Sequence, residues 1–305
     1  MSELPAQVTI REVALRDGLQ IEEPISLDAK VELLEAVVAT GVREVEATAF
    51  VSPSKVPALA DAEQFATELK RFTGPEYDVE FSALVASPNG ARRALAAGLN
   101  SIEYVVSAAD SHSRANVGRG TDEATVAIAD VLGIARDHGA TLEVIVATAW
   151  DCPFDGPTPP QRVLDIVSAA CDLGVDRIAI ADTIGTATPR RAGDLLTRVR
   201  QIIGDTPLGA HFHNTRGAGL ASAYAAVQAG VTRLDASVGG LGGCPFAPGA
   251  SGNIATEDLV YLLRDSGVDT GLDLPRTIEA AAVAQRLVGH ELPSSLLRAG
   301  DRIGG

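Results

Sequence analysis

Apolar and polar positions alternate along this chain in two rhythms. Short, nearly continuous apolar runs occur at Val8–Leu15, Val42–Ala47, Val79–Leu84, Ser101–Val106, Leu142–Ala147, Arg177–Ala181, Leu208–Phe212 and Arg233–Val238. Runs of that length and β-branched content read as strands covered on both faces. Between them apolar residues recur at helical spacing, as at Ala29, Leu33, Leu34, Val37 and Val38, or at Val163, Ile166, Val167, Ala170 and Leu173. Several of these segments open on Ser, Asp or Thr-Pro. Gly41, Gly98, Gly139, Gly174, Gly204 and Gly230 each stand just before a strand, where a helix C-cap needs positive φ. Strand starts are about 32 residues apart on average, room for one strand, one crossover helix and two loops.

Eight such units predict an α/β chain folded as a single (β/α)8 TIM barrel with extra C-terminal helices. The barrel is expected over about residues 7–265, its last helix at Asn253–Asp265, and a helical extension over about 266–290 with a helix at Asp273–Leu287. A loose tail to 305 completes one domain, 1–305. The competing architecture, an open doubly wound sheet, lacks its phosphate-binding G-x-G-x-x-G after the first strand.

Charge and cysteine content narrow the partners. The chain carries 25 Lys+Arg against 40 Asp+Glu, a formal charge of -15. Binding to DNA, RNA or anionic lipid draws its affinity from Lys and Arg, so neither nucleic acid nor membrane is an expected partner. No apolar stretch approaches the ~20 residues needed to span a bilayer. Met1–Gln7 is short and polar and leads straight into a strand, without the pattern of a targeting segment. Three cysteines, Cys152, Cys171 and Cys244, contain no close pair, which suits a reduced, cytoplasmic setting.

In a parallel barrel, chemistry belongs to the C-terminal strand ends. Arg16 and Asp17 follow the first strand, Glu46 ends the second, Asp182 follows the sixth, and His211 and His213 close the seventh. Residues i and i+2 of a strand point to one side, so His211 and His213 can share a cation. Alone that pattern is weak; Asp17, two strands away around a closed barrel, supplies an oxygen ligand. Glu46 sits among apolar neighbours and needs a partner, for which Arg16 is the candidate. Asp182 serves either the site or the cap of the following helix. The glycine-rich run from Gly239 to Asn253 implies a sharply turning loop or a close approach to a ligand. Cys244 within it reads as an acid–base group or a small buried hydrophobe. Asn253, taken alone, reads as an N-cap, with Glu257 and Asp258 fitting the dipole of the same helix.

Taken together, Arg16-Asp17-Gly18-Leu19-Gln20, Phe50-Val51-Ser52-Pro53, Asp182-Thr183-Ile184-Gly185, the H-x-H and the run Gly240–Leu263 resemble the hydroxymethylglutaryl-CoA lyase family. The likeness spans about residues 7–290. It implies that Asp17, His211, His213 and Asn253 bind one divalent cation, Mg²⁺ or Mn²⁺, with Zn²⁺ or Co²⁺ as substitutes. It further implies retro-Claisen cleavage of (S)-3-hydroxy-3-methylglutaryl-CoA to acetyl-CoA and acetoacetate. In that reaction Arg16, fixed by Glu46, stabilises the developing enolate oxygen and Cys244 protonates the enolate carbon. Glu46 and Asp182 orient substrate or shuttle protons, and His211 joins ligation to proton transfer. Arg16, Gln20, Glu46, Asp182 and Arg216 are the implied substrate contacts, and the family likeness with the extra C-terminal helix suggests a homodimer. The base that deprotonates the alcohol stays open.

Three loops depart from the family pattern: Asp110-Ser111-His112, Trp150-Asp151 and Asn214-Thr215-Arg216. They are expected to border the acyl pocket, which leaves a related 3-hydroxyacyl-CoA with another C3 substituent as the alternative substrate. Arg114, Arg119 and Arg216 offer local positive potential for the polyanionic coenzyme. Other functions fit less well. A zinc amidohydrolase carries its H-x-H on the first strand, a Claisen-type synthase carries further C-terminal domains, and a non-catalytic scaffold has no use for this set at one mouth.

Overall fold

A computed structural model describes residues 4–74, 77–243 and 252–302. Eight parallel strands pair in chain order and the eighth returns to the first, so the sheet closes without an edge. Numbering the barrel strands alone, β1 is Thr9–Glu12, β2 Glu44–Phe50, β3 Glu80–Val85, β4 Ser101–Ser107, β5 Thr141–Ala147, β6 Arg177–Asp182, β7 Leu208–Phe212 and β8 Arg233–Ala236. The expected (β/α)8 barrel is present. The six glycines placed before strands all have positive φ, between 59° and 100°.

Helices ring the barrel, and their apolar stripes form one continuous core with the outward faces of the strands. Leu33, Leu34 and Val37 of helix Leu27–Val38 are buried in it, as are Val163, Ile166, Val167 and Ala170 of helix Pro160–Leu173. Helices Thr256–Asp265 and Leu274–Val288 follow β8. The tail expected to be loose carries a further short helix, Ser295–Ala299. It is held because Asp258 accepts the amide N–H groups of Ser295 and Leu296 at 3.0 and 2.8 Å, while Ser294 caps Leu297. Among the described residues no helix is long and apolar enough to cross a membrane.

Three departures from the expected elements build the site. First, β1 stops at Glu12 instead of running to Leu15, and Ala14–Gly18 forms a π-helical turn closed by Gly18 N–H to the Val13 carbonyl at 3.0 Å. Second, β2 continues past Ala47 to Phe50 through a bulge between Glu46 and Thr48, which re-aims the side chains beyond it. Third, the helix expected from Asn253 begins only at Thr256. Asn253 instead pairs with His213 as an antiparallel bridge, flanked by Ile254 N–H to Phe212 O at 3.2 Å and Asn214 N–H to Gly252 O at 3.0 Å.

The barrel interior is charged where a barrel of this kind usually packs branched aliphatics. Arg11 lies opposite Asp235, Asp235 opposite His211, and Glu103 opposite Glu143 in the strand register. Arg11 donates to Glu103 at 2.6 Å and also to Glu143, while Arg233 donates to Glu143 at 2.7 Å and to Glu44. Dehydrating these groups is costly, and each guanidinium offsets the cost by serving several carboxylates. Gly209 leaves the room: a Cβ there would lie 3.4 Å from Glu143 Oε1 and 3.3 Å from the Ala179 methyl. Higher up, Val105, Ile145, Ala147, Ala179 and Ala181 form a small apolar wall.

Candidate metal centre and active site

The π turn after β1 brings Arg16 and Asp17 to the mouth, both buried. Asp17 Oδ2 lies 3.3 Å from His213 Nε2 and accepts from Asn253 Nδ2 at 2.8 Å. The ligand atoms of Asp17, His211 and His213 all lie within 4.8 Å of one another, and the two imidazole centroids are 5.0 Å apart. Two ligands about 2.1 Å from one ion and at right angles stand about 3.0 Å apart, so the Asp17–His213 spacing suits a shared cation. One buried atom points the same way: Asn253 Oδ1 has no hydrogen-bond partner among the described residues. A carboxylate, two imidazoles and an amide oxygen are a donor set for Mg²⁺, Mn²⁺ or Zn²⁺, and the residues fit one.

Charge favours an ionised Asp17. Burial pushes its carboxyl up, but Arg16 and the two histidines outweigh this and hold it well below the usual carboxylate range. Arg16 Nη1 donates to Asp17 Oδ1 at 2.5 Å and reaches Gln20 Oε1 at 3.4 Å. On its other edge Arg16 Nε stands 2.7 Å from Glu46 Oε2, an ion contact without hydrogen-bond alignment. The expected Arg16–Glu46 pair is therefore present. Burial, reinforced by Glu103, pushes the Glu46 carboxyl up in spite of Arg16.

A cavity of about 420 Å³ opens over these groups, with Arg16, Asp17, Gln20, His211 and His213 in its wall. Lys55, Arg93 and Arg119 also line it and bring positive charge to the cavity of an acidic protein, although Arg93 is paired with Glu63 at 2.5 Å. Of the three arginines expected to serve the coenzyme, only Arg119 lines the cavity. Arg114 pairs with Asp110 at 2.8 Å, and Arg216 donates to the carbonyls of Ile184 and Gly185 at 2.7 and 3.2 Å. Arg216 thus braces the loop after β6 and stands outside the cavity wall.

Asp182 is likewise engaged by its own loop. Its Oδ1 accepts from Thr186 N–H at 3.0 Å and its Oδ2 from Ala187 N–H at 2.9 Å, both ahead of helix Pro189–Arg200, whose N-cap is Thr188, so it closes the loop and does not cap the helix. Its neighbours Ala181 and Thr183 line the cavity in its place. Of the three loops expected to border the acyl pocket, one contributes a wall residue, His112. Trp150 packs against Phe212 with ring centroids 5.6 Å apart, and Asp151 accepts from Arg191 at 2.7 Å. Asn214 accepts from Gly219 N–H at 3.0 Å. Burial pushes His112 down to about 4, so it faces the cavity as a neutral imidazole, with Nδ1 2.7 Å from Ser107 Oγ. Cys244 lies outside the described residues; Cys152 is buried and Cys171 half-buried, both free thiols.

Sequence reasoning missed Asp235, which meets His211 Nδ1 at 3.1 Å, and Arg11, which holds Asp235. The available signal was a charge at every second position of Arg233-Leu234-Asp235 inside an apolar strand.

Comparison with known proteins now decides the family. The HMGL-like family model matches residues 7–284. The chain belongs to the HMGL-like family. Among its relatives, (R)-citramalyl-CoA lyase of Chloroflexus aurantiacus is 42% identical over 96% of this chain and 95% of that protein. Hydroxymethylglutaryl-CoA lyase YngG of Bacillus subtilis is 36% identical over 96% and 97%. A solved HMG-CoA lyase from Acinetobacter baumannii, in complex with coenzyme A and 3-methylmalate, superposes with a TM-score of 0.93 at 36% identity, covering 100% of this chain and 99% of that one. This HMGL-like chain is thus an enzyme of a lyase family whose named members act on CoA thioesters.

Proposed function

We propose that this protein is a carbon–carbon lyase that cleaves (S)-3-hydroxy-3-methylglutaryl-CoA to acetyl-CoA and acetoacetate, in the cytoplasm and as a homodimer. The observation that carries the reading is the buried convergence of Asp17, His211 and His213 on a cavity that also holds Arg16. A divalent cation, when bound, would supply Lewis acidity at the C3 alcohol and lower its pKa. Asp17, His211, His213 and Asn253 would hold that cation, Mg²⁺ or Mn²⁺, through two oxygens and two imidazole nitrogens. Arg16, braced between Asp17 and Glu46, presents its remaining N–H groups to the thioester oxygen as the C2–C3 bond breaks and charge moves onto it. Glu46, whose proton affinity burial and Glu103 raise against Arg16, stands against the far edge of that guanidinium. The enolate carbon takes its proton from Cys244. Lys55, Arg93 and Arg119 receive the coenzyme phosphates, and Gln20 the acyl chain.

The 42% identity to a citramalyl-CoA lyase favours a second reading, cleavage of citramalyl-CoA to acetyl-CoA and pyruvate. The two substrates differ by one methylene between C3 and the carboxylate, worth about 1–3 kcal/mol, or roughly 10–200-fold, in discrimination. Both thioesters assayed with purified protein and added Mn²⁺ test the proposal. Acetyl-CoA release from the hydroxymethylglutaryl thioester at the higher kcat/KM supports the first reading. Preference for citramalyl-CoA supports the second, and release from neither removes both.

A further inference from the structure

Each ligating histidine has a second nitrogen, and its partner decides which nitrogen carries the proton. For His211 that partner is Asp235, whose Oδ2 lies 3.1 Å from Nδ1, both groups being buried. Asp235 in turn is gripped edge-on by Arg11, with Nε to Oδ1 and Nη2 to Oδ2 both at 2.9 Å. The three residues occupy adjacent strands in register, Arg11 opposite Asp235 and Asp235 opposite His211, so the β1–β8–β7 pairing itself aligns them. An ionised carboxylate only accepts hydrogen bonds. Nδ1 must then carry the hydrogen, and the lone pair is left on Nε2.

We infer that Asp235, locked by Arg11, is a positioning residue that holds His211 in the Nδ1–H tautomer and so commits Nε2 to the cation. This rests on the proposed cation site, and it goes further by tying ligation to a charged pair in the barrel interior, Asp235 at the floor of the cavity and Arg11 behind it. Asparagine at 235 offers one oxygen and one NH₂. With the oxygen kept by Arg11, the NH₂ faces Nδ1 and favours the opposite tautomer, in which Nε2 carries the hydrogen and cannot ligate.

The test is Mn²⁺ titration of the metal-free full-length protein by calorimetry, without substrate. Asp235→Asn is expected to bind Mn²⁺ about 10–100-fold more weakly than wild type, the usual effect of losing such a partner. In a His211→Ala background the same substitution is expected to cost nothing further, which a general loosening of the barrel would not reproduce. Should Asp235→Asn fail to give a cooperative melt, Arg11→Lys replaces it in the same cycle, keeping the charge and losing the fork. Wild-type affinity in Asp235→Asn, or equal losses in both backgrounds, overturns the inference. So does a wild-type protein that binds no Mn²⁺. A wild type that binds Mn²⁺ with this pattern yet cleaves neither thioester leaves the positioning role standing and removes only the proposed reaction.

Discussion

Glu12 gives a sharp test of how the barrel is fastened. It ends β1, and its Oε1 accepts the amide N–H groups of Ala14 at 2.9 Å and Val238 at 3.0 Å, while Thr256 donates its hydroxyl to Oε2 at 2.7 Å. One carboxyl thus ties together the π turn bearing Arg16 and Asp17, the segment after β8 and the start of helix Thr256–Asp265. Burial raises its pKa from 4.5 to about 8 against these hydrogen bonds. A carboxyl that holds its proton more tightly when folded adds stability that is complete below the unfolded value and lost as pH rises through the folded one. At about 1.4 kcal/mol per tenfold change in proton affinity, the loss approaches about 5 kcal/mol on passing from below pH 4.5 to above pH 8. Glutamine copies the protonated carboxyl in shape and in donors but does not titrate. Glu12→Gln should therefore gain on wild type by about 4 kcal/mol between pH 5 and pH 8.5, measured by urea unfolding at each pH. Glu257, which burial raises to about 7, titrates in both proteins, and because its charge is among the causes that raise Glu12 its contribution cancels in the difference only in part. A variant-to-wild-type difference that stays constant across this range would refute the assignment of a protonated Glu12.

Asp17→Asn should weaken Mn²⁺ binding by more than about 100-fold, since a ligand is lost along with the charge that Arg16 faces; calorimetry without substrate reads it. Cys244→Ala should retain wild-type Mn²⁺ affinity while losing most turnover of the hydroxymethylglutaryl thioester, and turnover near wild type would remove the proposed proton donor. Phe212→Ala should cost about 3–5 kcal/mol in urea unfolding, because the ring is fully buried against Trp150 at the end of β7, between His211 and His213. Arg119→Ala should raise KM for the CoA thioester several-fold with kcat little changed, and added salt should shrink the difference; an unchanged KM would place the phosphates elsewhere.

The strands were legible because each is covered on its outer face by a helix, which enforces apolar residues wherever the strand looks outward. The inward face obeyed a different rule, and its charges were visible but unassignable. Arg11, Glu103, Glu143 and Asp235 stand inside apolar runs, where an isolated charge is expensive, so each announced a partner. Which partner depends on strand register, and register is a property of the closed sheet. Asp17, His211 and His213 escaped this difficulty because they share the same strand ends. Asp182 and Arg216 did not: a charge near the mouth can turn to substrate or to backbone, and here the N–H groups of Thr186 and Ala187 meet Asp182 while the carbonyls of Ile184 and Gly185, on the neighbouring loop, meet Arg216. Asn253 shows the same limit from the other side. Local preference makes it a helix cap, whereas the free carbonyl of Phe212 takes the amide of Ile254 at 3.2 Å and draws the segment alongside β7. That pairing places the Asn253 amide beside Asp17, so the candidate metal centre depends on a backbone contact across 42 positions of sequence, from 212 to 254. A substitution that removes this contact, such as proline at position 254, should lower metal affinity without altering a ligand side chain.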